Sequence, residues 1–384
     1  MHIAMVAARY FPMIGGIETH IYEVGRRMVA NGHRVTILTT DPSGALPQEE
    51  YSEGMLVKRV LAWPKGRDYY LAPRIYREIS RTDADIIHFQ GYNTLVAPIG
   101  LVAAAQRRIP FVLTFHSGGH SSPLRNAIRG LQQRALAPLV GRAEHLIGVS
   151  QFEVDLFSQR MRVGRDRFTV VPNGAALPAV SGAPPIRDPN LILSIGRLER
   201  YKGHQRVLEA FPDLLRQLPD ARLMIIGSGP YEAALRKMTG KLHLEDRVTI
   251  TSIPSSERER LTDVLMRAGL VVLLSDYEAH PVAIMEALSL RRRVLVTDTS
   301  GLRELADKGL CHRIPMAATP RAIANAIAAE LANDDDIPQL ELPDWDGCAR
   351  QLVGVYEQVL SRAGTPGAQR RAIAMPSIEA RPVG

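Results

Sequence analysis

The sequence predicts an α/β protein made of two Rossmann-like domains that face each other across a cleft. Three observations lead there. Short apolar runs rich in β-branched residues alternate with amphipathic helical patterns from the first residues onward. A stretch with four prolines and no periodicity, Ala175 to Asn190 (AALPAVSGAPPIRDPN), interrupts that alternation, which then begins again. The 384 residues are also more than one core usually serves, so two domains of ordinary size are expected.

In chain order, His2 to Ala8, Arg34 to Thr40, Met55 to Leu61, Asp85 to Gly91, Phe111 to His116, His145 to Ser150 and Phe168 to Val171 read as strands. Amphipathic segments such as Ile17 to Ala30 and Asn93 to Gln106 lie between them, which completes a first domain over residues 1–174. After the linker, strands are expected at Leu191 to Gly196, Arg222 to Ile226, Arg247 to Ile253, Leu270 to Leu274 and Val294 to Thr297. The helices between them are His204 to Leu218, Tyr231 to His243, Ser255 to Arg267 and Pro281 to Leu290, in a second domain over residues 191–343. Asp344 to Arg362 reads as a last helix, and residues 363–384 as a disordered tail. In open α/β sheets ligands sit outside the carboxyl ends of the strands, so the residues that follow each strand are the ones to inspect.

The stretch Leu270 to Leu290 (LVVLLSDYEAHPVAIMEALSL) is the most informative. A buried strand runs into a polar elbow, Ser275 to His280, and Pro281 opens an apolar helix as its first residue. The N–H groups of Val282, Ala283 and Ile284 should then point into the crevice, where they attract phosphate. Glu278 in the elbow and Glu286 on the helix bracket this turn, with seven residues between them. Carboxylates repel phosphate but accept hydrogen bonds from sugar hydroxyls. A diphosphate with a sugar at each end, the shape of a nucleotide sugar, fits both features. A glutamate on a helix is also commonly a solvated face. The apolar neighbours of Glu286, from Val282 to Leu288, leave it little polar face and favour an internal partner.

Other strand ends add to the set. Gly15 and Gly16 precede a helix and let backbone approach a ligand, although a plain tight turn explains them as well. His116 ends a buried strand, the place of a core or rim histidine or of a catalytic one. Arg197 and Lys202 follow the first strand of the second domain, where cations can clamp a diphosphate as it leaves, surface charge being the other reading. The turn at Ile253 can offer backbone groups to a nucleobase. Gly227 to Pro230 has a glycine pattern reminiscent of dinucleotide sites, but Glu232 stands where the third glycine belongs.

Composition narrows the classes further. Hydrophobic residues at 46% and charged residues at 23% are those of a globular protein that is not embedded in lipid. The net charge of +7 lies entirely in the first part, where 21 Lys and Arg face 14 Asp and Glu up to Val180, leaving 26 of each beyond. That part should meet something anionic, a lipid surface or phosphorylated acceptor rather than nucleic acid, because aromatics are only 5% and no base-stacking motif is present. Two cysteines, Cys311 and Cys348, lack metal-ligand spacing and suit a reducing cytoplasm. No signal-peptide pattern is evident, and the longest apolar stretch, Leu95 to Ala105, contains Pro98 and is too short to span a bilayer. A cytoplasmic protein, docked at most peripherally on the inner face of a membrane, is expected. Neither a Walker lysine motif nor a G-x-S-x-G is present. Three D-x-D matches, at Asp83/Asp85, Asp334/Asp336 and Asp344/Asp346, lie away from the carboxylate pair, read as solvated or capping residues, and imply no metal.

The ordered set GGIE at Gly15 to Glu18, His116 at a strand end, VPNG at Val171 to Gly174, GRLERYKG at Gly196 to Gly203, the Glu278/Glu286 pair and TSGLRE resembles glycosyltransferase family four. The resemblance spans Met1 to about Arg362 and implies a retaining enzyme of the GT-B fold whose last helix crosses back onto the first domain. It implies that Gly16 packs against the donor diphosphate and that Arg197 and Lys202 bind it. Glu278 would contact the transferred sugar, Glu286 the ribose hydroxyls, and His116 would line the reaction centre. Family members often carry Glu-Gly-Phe-Gly where this chain has Glu278, Ala279, His280 and Pro281, so the sugar does not transfer with the resemblance.

The function expected is therefore movement of a hexose-type sugar from a nucleotide-sugar donor, UDP-sugar ahead of GDP-mannose, to a glycan, glycolipid or small-molecule hydroxyl. No cofactor or metal is expected. The basic amphipathic pattern Leu124 to Val140 favours a lipid-linked acceptor if it is a membrane-facing helix, and an ordinary half-buried helix explains it too. A nucleotide-sugar epimerase of the same fold, or a protein that binds the nucleotide sugar without turnover, are the alternatives.

Overall fold

The computed structural model describes residues 1–13, 15–64, 71–92, 94–116, 123–181, 183–333 and 341–364, with the backbone alone for 123–129 and 255. The expected tail from residue 365 onward, Asp334/Asp336 and the first side chains of the basic helix lie outside the described side chains. Two sheets organise the rest.

The first contains β1 (His2–Ala7), β2 (Arg34–Asp41), β3 (Glu49–Ser52), β4 (Met55–Leu61), β5 (Ile86–Gln90), β6 (Phe111–Thr114), β7 (His145–Gly148) and β8 (Phe168–Val170), in the order β3-β4-β2-β1-β5-β6-β7-β8. All neighbours are parallel except β3 on β4. The second contains β9 (Asp188–Ile195), β10 (Arg222–Ile226), β11 (Val248–Thr251), β12 (Ala268–Leu273), β13 (Val294–Thr297) and β14 (His312–Ile314), in the parallel order β11-β10-β9-β12-β13-β14. Strands of a sheet covered on both faces carry continuous apolar runs. β1, β5 and β12 are buried at every position.

Helices cover both sheets. They are α1 (Gly16–Ala30), α2 (Arg74–Arg81), α3 (Val96–Arg107), α4 (Pro123–Val140), α5 (Gln151–Met161), α6 (His204–Leu215), α7 (Glu232–Lys241), α8 (Arg258–Arg267), α9 (Val282–Ser289), α10 (Ser300–Asp307), α11 (Pro320–Ala332) and α12 (Trp345–Arg362). In α1, Ile21, Val24 and Met28 recur at helical spacing and are fully buried, and Gly32 at φ 79° turns the chain beyond its end. α12 leaves the second sheet and docks against α1, burying Trp345, Leu352, Tyr356 and Val359 in the core of the first domain. Each such side chain contributes about 2 kcal/mol by burial.

The structure differs from the sequence reading at several places. β9 starts at Asp188, inside the stretch assigned to the linker, because Asp188 and Pro189 extend its pairing toward β12. α8 starts at Arg258 after a 3-10 turn, Ser255–Glu257. Pro281 is the cap of α9 and not its first residue. Its ψ of 118° is extended, so its carbonyl turns into the helix and accepts from the N–H of Ile284 and Met285. Among the described residues, only the N–H groups of Val282 and Ala283 are unbonded at that end, one fewer than expected.

In each sheet the chain runs outward from a central strand in one direction and then in the other. The strand order reverses between β1 and β5 and between β9 and β12. These switch points are where open α/β sheets leave a crevice above the carboxyl ends of the strands.

Candidate active site

Most of the residues singled out from the sequence fall at the two switch points. Arg197 and Lys202 follow β9, and the elbow from Ser275 to Pro281 follows β12, the adjacent strand. Gly15 and Gly16 follow β1, while His116 follows β6.

Gly203 brings Lys202 to the elbow. It sits at φ 77°, and a Cβ there would overlap the Leu274 carbonyl, so the turn after β9 lies directly on the end of β12. The N–H of Asp276 donates to the Tyr201 carbonyl at 2.7 Å, and Ser275 Oγ lies 3.3 Å from the Lys202 carbonyl. Lys202 Nζ then meets Glu278 Oε1 at 2.5 Å. The same carboxylate oxygen accepts from Ser275 Oγ at 2.8 Å, and the Glu278 N–H donates to Ser300 Oγ at 2.9 Å. Burial opposes the Lys202 charge, but the Glu278 carboxylate, the Tyr201 phenol and the hydrogen bond outweigh it and hold the pKa above the ordinary lysine value.

Glu286 is buried on α9 with Oε1 2.5 Å from Arg258 Nη2. Burial raises its pKa, and the Arg258 charge acts against that rise. Arg258 had no signal of its own in the sequence. It lies in the charged run Glu257 to Arg260, which looks like a solvated helix start.

Arg197 is half-exposed and steadied by Glu199 at 3.3 Å. The first-turn Glu18 of α1 lies across Gly15, where an added Cβ would come 2.5 Å from its Oε2. Burial raises the Glu18 pKa, while its own N–H and the charges of Arg9 and Arg197 pull it down. A Cβ on Gly16 would stand 3.8 Å from Val282 Cγ2, so the N-termini of α1 and α9 converge from the two domains. Two such ends aimed at one space suit an anionic group between them. Ile253, after β11, packs partly buried against the second core.

His116 takes φ 43°, in the left-handed region that few non-glycine residues adopt, and Ser300 beside Glu278 takes φ 46°. Such conformations cost about 1–3 kcal/mol each and persist where surrounding structure enforces them, commonly at working sites. His116 Nε2 donates to Gln90 Oε1 at 2.7 Å, which leaves Nδ1 as its basic nitrogen. Burial, then the neighbouring His20 and His88, hold the His116 pKa well below the ordinary value, so the ring is neutral. Gln90 and His20 were not identified from the sequence, and Ser300, inside the TSGLRE run, had no role there, because their contacts depend on residues distant in the chain.

Two aspartates of the D-x-D pairs are structural. Asp85 accepts from the His2 N–H at 2.7 Å, and Asp344 caps α12. Among the described residues no three His, Cys, Asp or Glu side chains are grouped as metal ligands, and no helix is long and apolar enough to cross a membrane.

Residues 14–177 match the model of Glycosyltransferase Family 4, and residues 181–340 that of Glycosyl transferases group 1. Similar proteins include the GDP-mannose:cellobiosyl-diphosphopolyprenol alpha-mannosyltransferase of Xanthomonas oryzae pv. oryzae, 25% identical over 94% of this chain and 97% of that protein. The phosphatidyl-myo-inositol mannosyltransferase of Mycobacterium leprae is 26% identical over 94% of this chain and 97% of its own. Among solved structures, Anabaena HepE in complex with UDP-glucose superposes with a TM-score of 0.70 at 17% identity, covering 95% of this chain and 99% of that one. Sucrose-phosphate synthase from Thermosynechococcus elongatus gives 0.69 at 20% identity, covering 97% and 100%.

Proposed function

The chain belongs to glycosyltransferase family 4 and has the GT-B fold, and from that premise we propose that it moves mannose from GDP-mannose, with retention and without a metal, to a lipid-linked phosphorylated acceptor. The observation that carries the reading is the Lys202–Glu278 pair at the switch point between β9 and β12, next to the converging ends of α1 and α9.

In this reading the diphosphate lies between Gly15, Gly16 and the N–H groups of Val282 and Ala283. Arg197 and Lys202 stabilise its charge as the bond from the sugar carbon to phosphate breaks. Glu278 accepts a hydroxyl of the transferred sugar, the free oxygen of Glu286 accepts ribose hydroxyls, and the Ile253 turn meets the base. The acceptor oxygen bonds to the sugar carbon on the face the diphosphate leaves, and its proton passes to a phosphate oxygen. His116 lines that face through its neutral Nδ1.

The sequence alone put UDP-sugars ahead of GDP-mannose. The two curated relatives cited above, matched over nearly their full lengths, are named mannosyltransferases, one of them with GDP-mannose, and this supports the opposite order. The names of both relatives include a lipid-linked acceptor, which agrees with the excess of cationic residues before Val180. A UDP-sugar donor is the second reading. The buried Lys202–Glu278 pair supports turnover over mere sensing.

Thermal shift with GDP, UDP, ADP, CDP and dTDP in EDTA, followed by transfer of labelled mannose from GDP-mannose to phosphorylated lipid extracts, tests the proposal. A shift with GDP and a labelled, phase-extractable product are expected. A shift confined to UDP would move the donor to the second reading, and a shift with none of the five would overturn both.

A further inference from the structure

Asn173, between β8 and the proline-rich stretch, is buried, and its amide spans the two domains. Its Nδ2 donates to the His280 carbonyl in the elbow at 2.8 Å, and its Oδ1 faces His20 Nδ1 on α1 at 2.9 Å. The oxygen can only accept, so His20 carries its proton on Nδ1. The remaining His20 nitrogen, Nε2, is buried without a partner among the described residues, and burial lowers the pKa of the ring to about 4.

His20 packs edge-on against the His116 ring, with centroids 4.6 Å apart at 69°. His280 stands two residues beyond Glu278. One amide is therefore linked to His116 through a hydrogen bond and a ring contact, and to Glu278 through a hydrogen bond and a short length of backbone. The same junction is braced elsewhere. Tyr277 meets Phe152 edge-on at 5.5 Å, and the Phe152 N–H donates to Glu304 Oε2 at 3.2 Å. Gly174 fixes the backbone beside Asn173, because a Cβ there would overlap the start of α12.

We propose that Asn173 is a positioning residue that sets the separation between His116 and Glu278, and with it the approach of the acceptor hydroxyl to the donor sugar. The inference rests on glycosyl transfer taking place in this cleft. Asn173 touches neither substrate in this reading. Asparagine suits the task because it offers one acceptor and one donor a fixed distance apart. Aspartate would keep the bond to His20 but set a carboxylate against the His280 carbonyl. Alanine would leave the His280 carbonyl and the His20 N–H unpaired.

The test uses the full chain with Asn173→Ala and Asn173→Asp. Calorimetry measures the affinity for GDP and UDP, and steady-state transfer gives kcat and donor KM. Spin labels on exposed Tyr51→Cys and Arg216→Cys report the distance between the domains. The native thiols are buried with pKa values pushed up to about 12, so they do not compete for label. The expected result is diphosphate affinity and donor KM within about threefold of wild type and kcat lowered about 100-fold, since a displacement of about 1 Å can cost that much. The interdomain distance distribution should broaden in both variants. An unchanged distribution with unchanged kcat would overturn the proposal, as would a loss of diphosphate affinity in proportion to kcat, which would mark a purely structural role. If Asn173→Ala does not fold, Asn173→Asp, nearly equal in size, carries the comparison. Absence of sugar transfer by the wild type would overturn the functional reading instead, and the distance distributions would still decide whether Asn173 holds the junction.

Discussion

Lys202 and Glu278 form an ion pair at 2.5 Å across the switch point of the second sheet, with side chains only 15% and 8% exposed. Removing the cation leaves a buried carboxylate with Ser275 and little else to balance it. Lys202→Met should lower kcat/KM by about 100- to 1,000-fold, the usual loss when one group that stabilises developing charge is removed. Urea denaturation should show about 3 kcal/mol of lost stability, in the range for breaking a buried pair. Wild-type turnover would sink the site.

Gly203 and Gly32 share nearly the same dihedral, φ 77° and 79°, but differ in surroundings. A Cβ at 203 overlaps the Leu274 carbonyl, whereas at 32 nothing lies within 4 Å. Gly32→Ala should cost about 1–2 kcal/mol, the left-handed penalty alone, and keep activity. Gly203→Ala should cost more and also reduce kcat by displacing Lys202. Equal losses of stability and activity in the two variants would contradict the packing argument.

Arg258→Ala removes the charge that opposes the burial-driven rise in the Glu286 pKa. Affinity for GDP should fall by about 10- to 100-fold, since a hydrogen bond to a charged group is worth about 1.5–3 kcal/mol. Ribose-free pyrophosphate, which does not reach Glu286 in this reading, should bind as before. Calorimetry with GDP and pyrophosphate separates the two, and parallel losses would remove Glu286 from the ribose.

Five of the six histidines buried among the described residues make the fold sensitive to acid. Burial lowers His20, His204 and His280 to about 4, and His88 and His116 go well below the ordinary value. Unfolded, each binds a proton near pH 6.5. Between pH 6.5 and 4 the unfolded chain therefore holds more protons than the native one, so this contribution is intact above 6.5 and is lost as the pH falls toward 4. The slope approaches about 1.4 kcal/mol per pH unit for each histidine. Urea midpoints at pH 7.5, 6 and 5 should decrease steadily, and His20→Asn should flatten the decrease. A flat profile would mean that these rings take up protons in the native state as readily as in the unfolded chain.

Much of the architecture was legible because a sheet covered on both faces writes its strands as unbroken apolar runs, as in Leu270 to Leu274. β3 escaped notice because Glu49–Ser52 is a polar edge strand whose only support is β4. α2 escaped because its eight residues include three arginines. At the site, Lys202 and Glu278 could be found since each lies just beyond a recognisable strand. Asn173 stands in the VPNG run that carries the family resemblance, but its role, like those of His20 and Arg258, comes from a partner between 28 and 153 residues away and was not legible. Pro281 was misplaced by one position for a local reason. Proline suits both a helix cap and the first turn, and only its ψ distinguishes them.

The docking of α12 carries a consequence for synthesis. Trp345 and Tyr356 fill the core beneath α1, where Tyr356 reaches His88 on β5, yet both emerge from the ribosome more than 170 residues after β8. At translation rates of about 5–20 residues per second, the first domain waits roughly 10 to 40 seconds for its last wall. During that interval an apolar face of α1 is uncovered, so the nascent chain exposes a surface that is prone to off-pathway contacts, and the half made first is the half finished last.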